Sequence, residues 1–110
     1  MPLQPSIAPL NIYEGNGQIS IAIPIPGSHP DHVRLSVGPR LLRMHADCKY
    51  PQETQHYHRR DWQVGSWLVE APLPVAVDPA SARATLNFGV LLVMARISDE
   101  GAGERELAVE

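Results

Sequence analysis

The stretch Ala84-Thr85-Leu86-Asn87-Phe88-Gly89-Val90-Leu91-Leu92-Val93-Met94 decides the fold. It sets a small residue, four intervening positions, a glycine and then an apolar run of strand length, which reads as strand, tight turn, buried strand. Gly89 tolerates positive φ, so the chain can reverse before Val90, and the β-branched residues beyond it suit a pleated, packed surface. That run needs a partner across the turn. Arg83 to Asn87 is therefore read as a strand, although Ser81 to Ala84 favours a helical turn on propensity alone.

The same period of two recurs upstream. Ile19, Ile21, Ile23 and Ile25 alternate with Ser20, Ala22 and Pro24, so one face of this strand must be core. Pro24 removes a backbone donor, and the strand should stop, or lie at an edge, there. Before it, Asn11 to Glu14 forms a first strand and Gly15-Asn16-Gly17 a hairpin-type turn. After it come the Pro26-Gly27 turn, a short loop over Ser28 to Asp31, and a strand through Val33, Leu35 and Val37. Gly38-Pro39 reverses the chain into a half-buried strand through Leu42 and Met44 to about Asp47.

Lys49 to His56 is polar and reads as a loop. Tyr57 to Trp62 mixes β-favouring aromatics with the charges of Arg59, Arg60 and Asp61, which suits an exposed or exchanged strand. Trp67 to Ala71 is a further strand, ending at Pro72-Leu73-Pro74, and Val75 to Ala80 is a connector. Residues 1–9 hold Pro2, Pro5 and Pro9 and read as a short extended, mobile arm ahead of a domain over residues 10–97. Residues 98–110 form a flexible acidic tail that ends in Leu107-Ala108-Val109, two aliphatics at period two. About eight short strands, frequent turns, no amphipathic helix and no internal repeat imply an all-β antiparallel sandwich or barrel.

At 110 residues the chain supports one core. Cys48 is the only cysteine, so no internal disulfide can form, and a reducing compartment is expected. The N-terminus lacks the basic and apolar regions of a secretory signal, and no run of about 18 apolar residues occurs. A cytoplasmic protein without a membrane partner is expected. The net charge of −3 conceals a division: five acids against Arg105 give residues 99–110 a charge of −4, leaving a nearly neutral body. With 44% hydrophobic residues, such a body favours association over electrostatic steering. The arginines are scattered and offset by acids, which excludes a nucleic-acid footprint.

Chemistry-bearing groups are few. His45, Asp47, Cys48, His56 and His58 are metal-capable, but their spacing matches no compact zinc site, and a polar loop with exposed histidines is the favoured reading. Gly15-x-Gly17 and Gly101-x-Gly103 do not lie between a strand and a helix, so they read as turn and linker rather than phosphate loops. Cys48 has no third group to complete a nucleophile with His45 or His58 and reads as a strand-end residue. Trp67 is assigned to core and Trp62 to an interface. No paired carboxylates or nucleophile-base spacing points to an enzyme. No cofactor is expected.

Several separate motifs in this order carry a resemblance. Ile25-Pro26-Gly27 with Asp31-His32-Val33, Leu41-Leu42-Arg43-Met44, Tyr57-His58-Arg59-Arg60-Asp61 through Gly65-Ser66-Trp67, Leu73-Pro74 with Val77-Asp78, and Ala84 to Leu91 together resemble the α-crystallin domain of small heat-shock proteins from Leu10 to Arg96. The resemblance implies an immunoglobulin-like β-sandwich and an ATP-independent holdase that captures unfolding client proteins. It also implies a homodimer, and beyond it a higher homo-oligomer, with a strand exchanged on the loop that carries Tyr57, His58, Arg59, Arg60, Asp61 and Trp62.

In that pattern Leu107 and Val109 resemble the anchors of a C-terminal tail that docks on another subunit. The groove would lie between the strands of Val33 and Leu35 and of Ala84 and Leu86, a form of β-edge recognition. Two positions depart from the family. Val69 stands where an arginine often serves the dimer interface, and Arg96 stands where a proline commonly closes the last core strand, so this edge is expected to run on to Ile97. Only about nine residues precede the domain, which weighs against large assemblies and strong holdase activity. The rival readings are an adaptor of the same fold, similar to co-chaperones, that binds one folded partner, and a structural subunit that coats an assembly.

Overall fold

Ile19, Ile21 and Ile23 point into the protein from one strand, while Ser20 and Ala22 remain half-buried on its other side. The computed structural model describes residues 6–48, 55–59, 61, 66–99 and 103–110, with only the backbone of Ser6, Ile7 and Cys48. Among them the chain forms β1 (Ser6–Ile7), β2 (Asn11–Gly15), β3 (Gln18–Pro24), β4 (Ser28–Val37), β5 (Leu41–Cys48), β6 (Ser66–Pro72), a 3₁₀ turn (Pro79–Ser81), β7 (Arg83–Asn87), β8 (Val90–Arg96) and β9 (Arg105–Leu107). No helix among the described residues is long and apolar enough to cross a membrane.

Two sheets stack. One has the order β1-β6-β5-β4-β9 and the other β2-β3-β8-β7. Their pairings are antiparallel except that of β1 with β6, which is parallel. The inner faces meet in one core: Ile21, Ile23, Leu91 and Val93 from the four-stranded sheet lie against a layer of Leu35, Leu42, Met44 and Val69. Burial of each large aliphatic contributes about 1.5–3 kcal/mol, so the period-two pattern selects this register over a one-residue slip that would turn the whole set to solvent.

The expected all-β sandwich is the observed architecture, with local differences. The run from Val90 to Met94 is not buried throughout: Leu91 and Val93 enter the core while Leu92 and Met94 are half-buried on the outer face. A strand in a two-layer sandwich has one covered face, so even an apolar run alternates. β4 begins at Ser28, absorbing the expected loop over Ser28 to Asp31 through a register irregularity between Ser28 and Val33. Such an irregularity lets Pro30 sit in a strand without leaving a ladder bond unmade.

Arg83 to Asn87 is the strand β7, as its need for a partner across the turn required, and the 3₁₀ turn lies before it, at Pro79–Ser81. Asp78 caps this 3₁₀ turn, its Oδ1 accepting from the Ala80 N–H at 3.0 Å, and Pro79 supplies a residue with no donor to lose. β3 ends at Pro24, where its missing donor predicts a stop. β8 ends at Arg96, and Ile97 carries its edge on by a single antiparallel bridge to Val77.

Candidate docking groove between β4 and β7

β4 and β7 lie in different sheets, and the seam between their edges is where the C-terminal segment runs. Leu107 stands opposite Leu35, Glu106 opposite Ser36 and Arg105 opposite Val37, so β9 extends the β4 edge by antiparallel pairing. Two residues on, Val109 bridges Ala84 in parallel. The Glu110 N–H donates to the Ala84 carbonyl at 3.0 Å, and the Leu86 N–H donates to the Glu110 carbonyl at 2.7 Å. One short segment thus pairs with both sheets.

Period two explains how. Leu107 and Val109 project to the same side of the extended segment, and both face the seam: Leu107 is 7% exposed within the core and Val109 packs half-buried against it. Ala84 is buried, and its small side chain leaves room for the bridge to Val109. Leu86 is half-buried beside it, and Val33 lies buried further along β4. Glu106 and Ala108, the alternate positions on either side of Leu107, are exposed. Backbone bonds hold any extended sequence here, and the two apolar sites select for aliphatics at this spacing.

Arg105 adds a contact that sequence patterning did not single out. Its Nη1 donates to the Ala80 carbonyl at 3.0 Å, with the Pro79 carbonyl at 3.5 Å, so the guanidinium closes the C-terminal end of the 3₁₀ turn. The turn is itself braced: Ser81 Oγ donates to the Asp78 carbonyl at 2.7 Å and accepts from the Arg96 N–H at 2.8 Å. No sequence signal pairs Arg105 with residues 25 positions away.

Of the expected exchange segment, Tyr57 is half-buried and His58, Arg59 and Asp61 are exposed, outside any strand, with Arg59 Nε 3.0 Å from Asp61 Oδ2. Arg60 and Trp62 lie outside the described residues. Trp67 is buried in the core as expected. His45 Nε2 is 3.8 Å from Asp47 Oδ1, and the rings of His56 and His58 meet edge to face at 5.3 Å. Among the described residues no three metal-capable side chains converge. The Cys48 side chain and the Gly101-x-Gly103 linker lie outside that description in whole or part.

Strand edges also carry the other sites of possible pairing. β1 covers the β6 edge, with Ser6 opposite Trp67 and Ile7 opposite Leu68. β9 covers β4, and Glu110 covers part of β7. β2 has no strand beyond it among the described residues.

The fold is a β-sandwich with short extended segments of its own chain paired along the β6 and β4 rims. The sequence profile of the Hsp20/alpha crystallin family matches residues 11–110, and the chain belongs to that family, the small heat-shock proteins, which are chaperones. The fold agrees with solved structures. Heat shock protein 16.0 from Schizosaccharomyces pombe superposes with a TM-score of 0.74 at 16% identity, over 88% of this chain and 71% of that one. The hspA protein from Xanthomonas axonopodis gives 0.72 at 20% identity, over 87% and 97%. A small heat-shock protein from Xylella fastidiosa, described as having a distinct high order structure, gives 0.70 at 21%, over 89% and 92%. Comparison with curated proteins gives no significant match.

Proposed function

We propose that the protein is a cytoplasmic, ATP-independent holdase that binds partly unfolded polypeptides along its apolar edge grooves. The observation that carries this reading is the C-terminal segment itself. Residues 105–110 lie as an extended peptide across β4 and β7, with aliphatics two positions apart in the seam. An unfolding chain offers the same chemistry: unpaired backbone and apolar side chains at alternate positions. The tail and a client therefore compete, and whatever lifts the tail exposes the groove.

Self-association follows the same physics. Among the described residues no strand lies beyond β2, and the segment Tyr57, His58, Arg59, Arg60, Asp61 and Trp62 of a second copy is the proposed strand to cover that edge, giving a homodimer. A tail docked on a neighbour instead of its own body would join dimers into larger assemblies.

The test measures suppression of aggregation of two unrelated proteins, one denatured by heat and one by disulfide reduction, without nucleotide. Protection of both, increased when Leu107 and Val109 are replaced by Ala, supports the reading. Protection of neither, with saturable binding to one native protein, assigns the domain to an adaptor. Protection of neither and mass locked in one large assembly assigns it to a structural subunit.

A further inference from the structure

At one end of the four-stranded sheet its outer face forms a hollow of about 390 Å³, bounded by the turn between β2 and β3 and by the 3₁₀ turn. Asn16, Gln18, Ser81, Arg83, Met94 and Arg96 are among the residues that line it. Register explains the convergence. Gln18 stands opposite Arg96 and Arg83 opposite Met94, so Arg96, two positions beyond Met94 on the same face, is the diagonal neighbour of Arg83. Such neighbours lie about 7–8 Å apart at the backbone, a span that two arginine side chains close with ease. β8 runs between β3 and β7, which sets Gln18 and Arg83 on either side of it.

These donors find no acceptor in the fold. Among the described residues neither guanidinium has an ion pair or a hydrogen bond, and the side-chain amides of Asn16 and Gln18 have none either. No carboxylate lines the hollow. Asp78, the acid of the adjoining turn, has its Oδ1 occupied by the Ala80 N–H. The larger hollow on the other sheet differs, since there Glu70, Glu104 and Glu106 offset Arg34 and Arg43. Arg83 and Arg96 are thus like charges held as cross-strand neighbours, an arrangement that costs stability until an anion lies between them. Arg96 is also one of the two positions where this chain departs from its family, so the second charge belongs to this chain in particular.

We propose that this hollow is a binding site for a dianionic phosphate group, held between the Arg83 and Arg96 guanidiniums, with the Asn16 and Gln18 amides donating to its remaining oxygens. A dianion balances the two fixed positive charges, and tetrahedral oxygens accept from donors that arrive from β3, β7 and β8 at once. Guanidinium groups match phosphate oxygens in bidentate pairs. Beyond the phosphate, the hollow has room over Met94 for the group that a monoester carries. Both arginines are exposed, so binding is weak, with half-saturation at about 1–5 mM. A bound phosphate stabilises the sheet by mass action. The site requires neither tail docking nor chaperone activity.

NMR titration of the isotope-labelled full chain with inorganic phosphate and with phenyl phosphate tests it, at about pH 7.5, where a phosphomonoester is mostly dianionic, and at an ionic strength held constant with chloride. Saturable shifts are expected at the backbone amides of Gln18, Arg83 and Arg96 and at the side-chain amides of Asn16 and Gln18. Arg83→Gln and Arg96→Gln should each weaken binding about tenfold at unchanged fold, because both side chains are exposed. Arg34→Gln/Arg43→Gln, on the other sheet, should leave it unchanged. Tighter binding of phenyl phosphate identifies the ligand as an ester, and equal binding identifies it as phosphate itself. Shifts that do not saturate by about 50 mM, that persist in Arg83→Gln/Arg96→Gln, or that the monoanion acetate reproduces at the same concentration would each overturn the proposal. So would shifts of these amides with protein concentration alone, which would assign the hollow to the acidic tail of a second copy.

Discussion

Leu107 and Leu35 stand directly opposite each other on β9 and β4, and this pairing brings the end of the chain into the core of its own sandwich. The tail is therefore part of the stability of the body. Replacing Leu107 by Ala should lower unfolding stability by about 2 kcal/mol, the low end for a buried leucine because the site lies at a rim. Adding Val109→Ala should cost about 1 kcal/mol more, as only half that side chain is covered. Urea unfolding at low protein concentration measures both, and an unchanged midpoint for the double variant would mean that the tail contributes nothing to its own fold.

Arg105 ties that tail to the 3₁₀ turn, and a hydrogen bond from a charged donor contributes about 1.5 kcal/mol. Arg105→Ala should speed amide exchange at Glu106 and Leu107 by about tenfold while leaving β3 and β8 protected. Asp78→Ala, which removes the cap of the same turn, should cost about 1 kcal/mol and couple with Arg105→Ala, the double variant costing less than the two separately. Strict additivity would show that the guanidinium does not depend on the turn.

Gly89 holds φ of 78°, and its carbonyl accepts the Ile25 N–H at 2.8 Å. Gly89→Ala should destabilise by about 1–2 kcal/mol through backbone strain, since an added Cβ would meet only the Pro26 Cα at an ordinary 3.6 Å. Gly15→Ala is the control: no positive φ and nothing within 4 Å, hence a change within about 0.5 kcal/mol. Equal thermal midpoints for the two variants would refute the assignment of Gly89 as the conformational hinge of the β7–β8 hairpin.

The periodic elements were legible because alternation is a local property: Ile19, Ile21 and Ile23 declare a core face whatever lies across from them, and Gly89 declares a turn. The groove residues Val33, Leu35, Ala84 and Leu86 were reached only through resemblance. Nothing local says that Ala84 and Leu35, in different sheets, flank one seam. Phe88 went unremarked because its exposure and its backbone angle are invisible in a string where an aromatic next to a glycine-led strand looks like core.

Composition and period by themselves determined a single all-β antiparallel domain, sandwich or barrel, with its strands, its turn glycines and a tail of two aliphatics at period two, and the family resemblance singled out the sandwich. Tertiary structure alone decided which edges those segments cover: β1 on β6, β9 on β4, Glu110 on β7, and nothing described on β2. The reason is physical. Side-chain alternation selects the face a strand buries, whereas the backbone N–H and C=O groups at an edge are the same for every sequence, so the choice of partner rests on which segments the packed layers bring within reach.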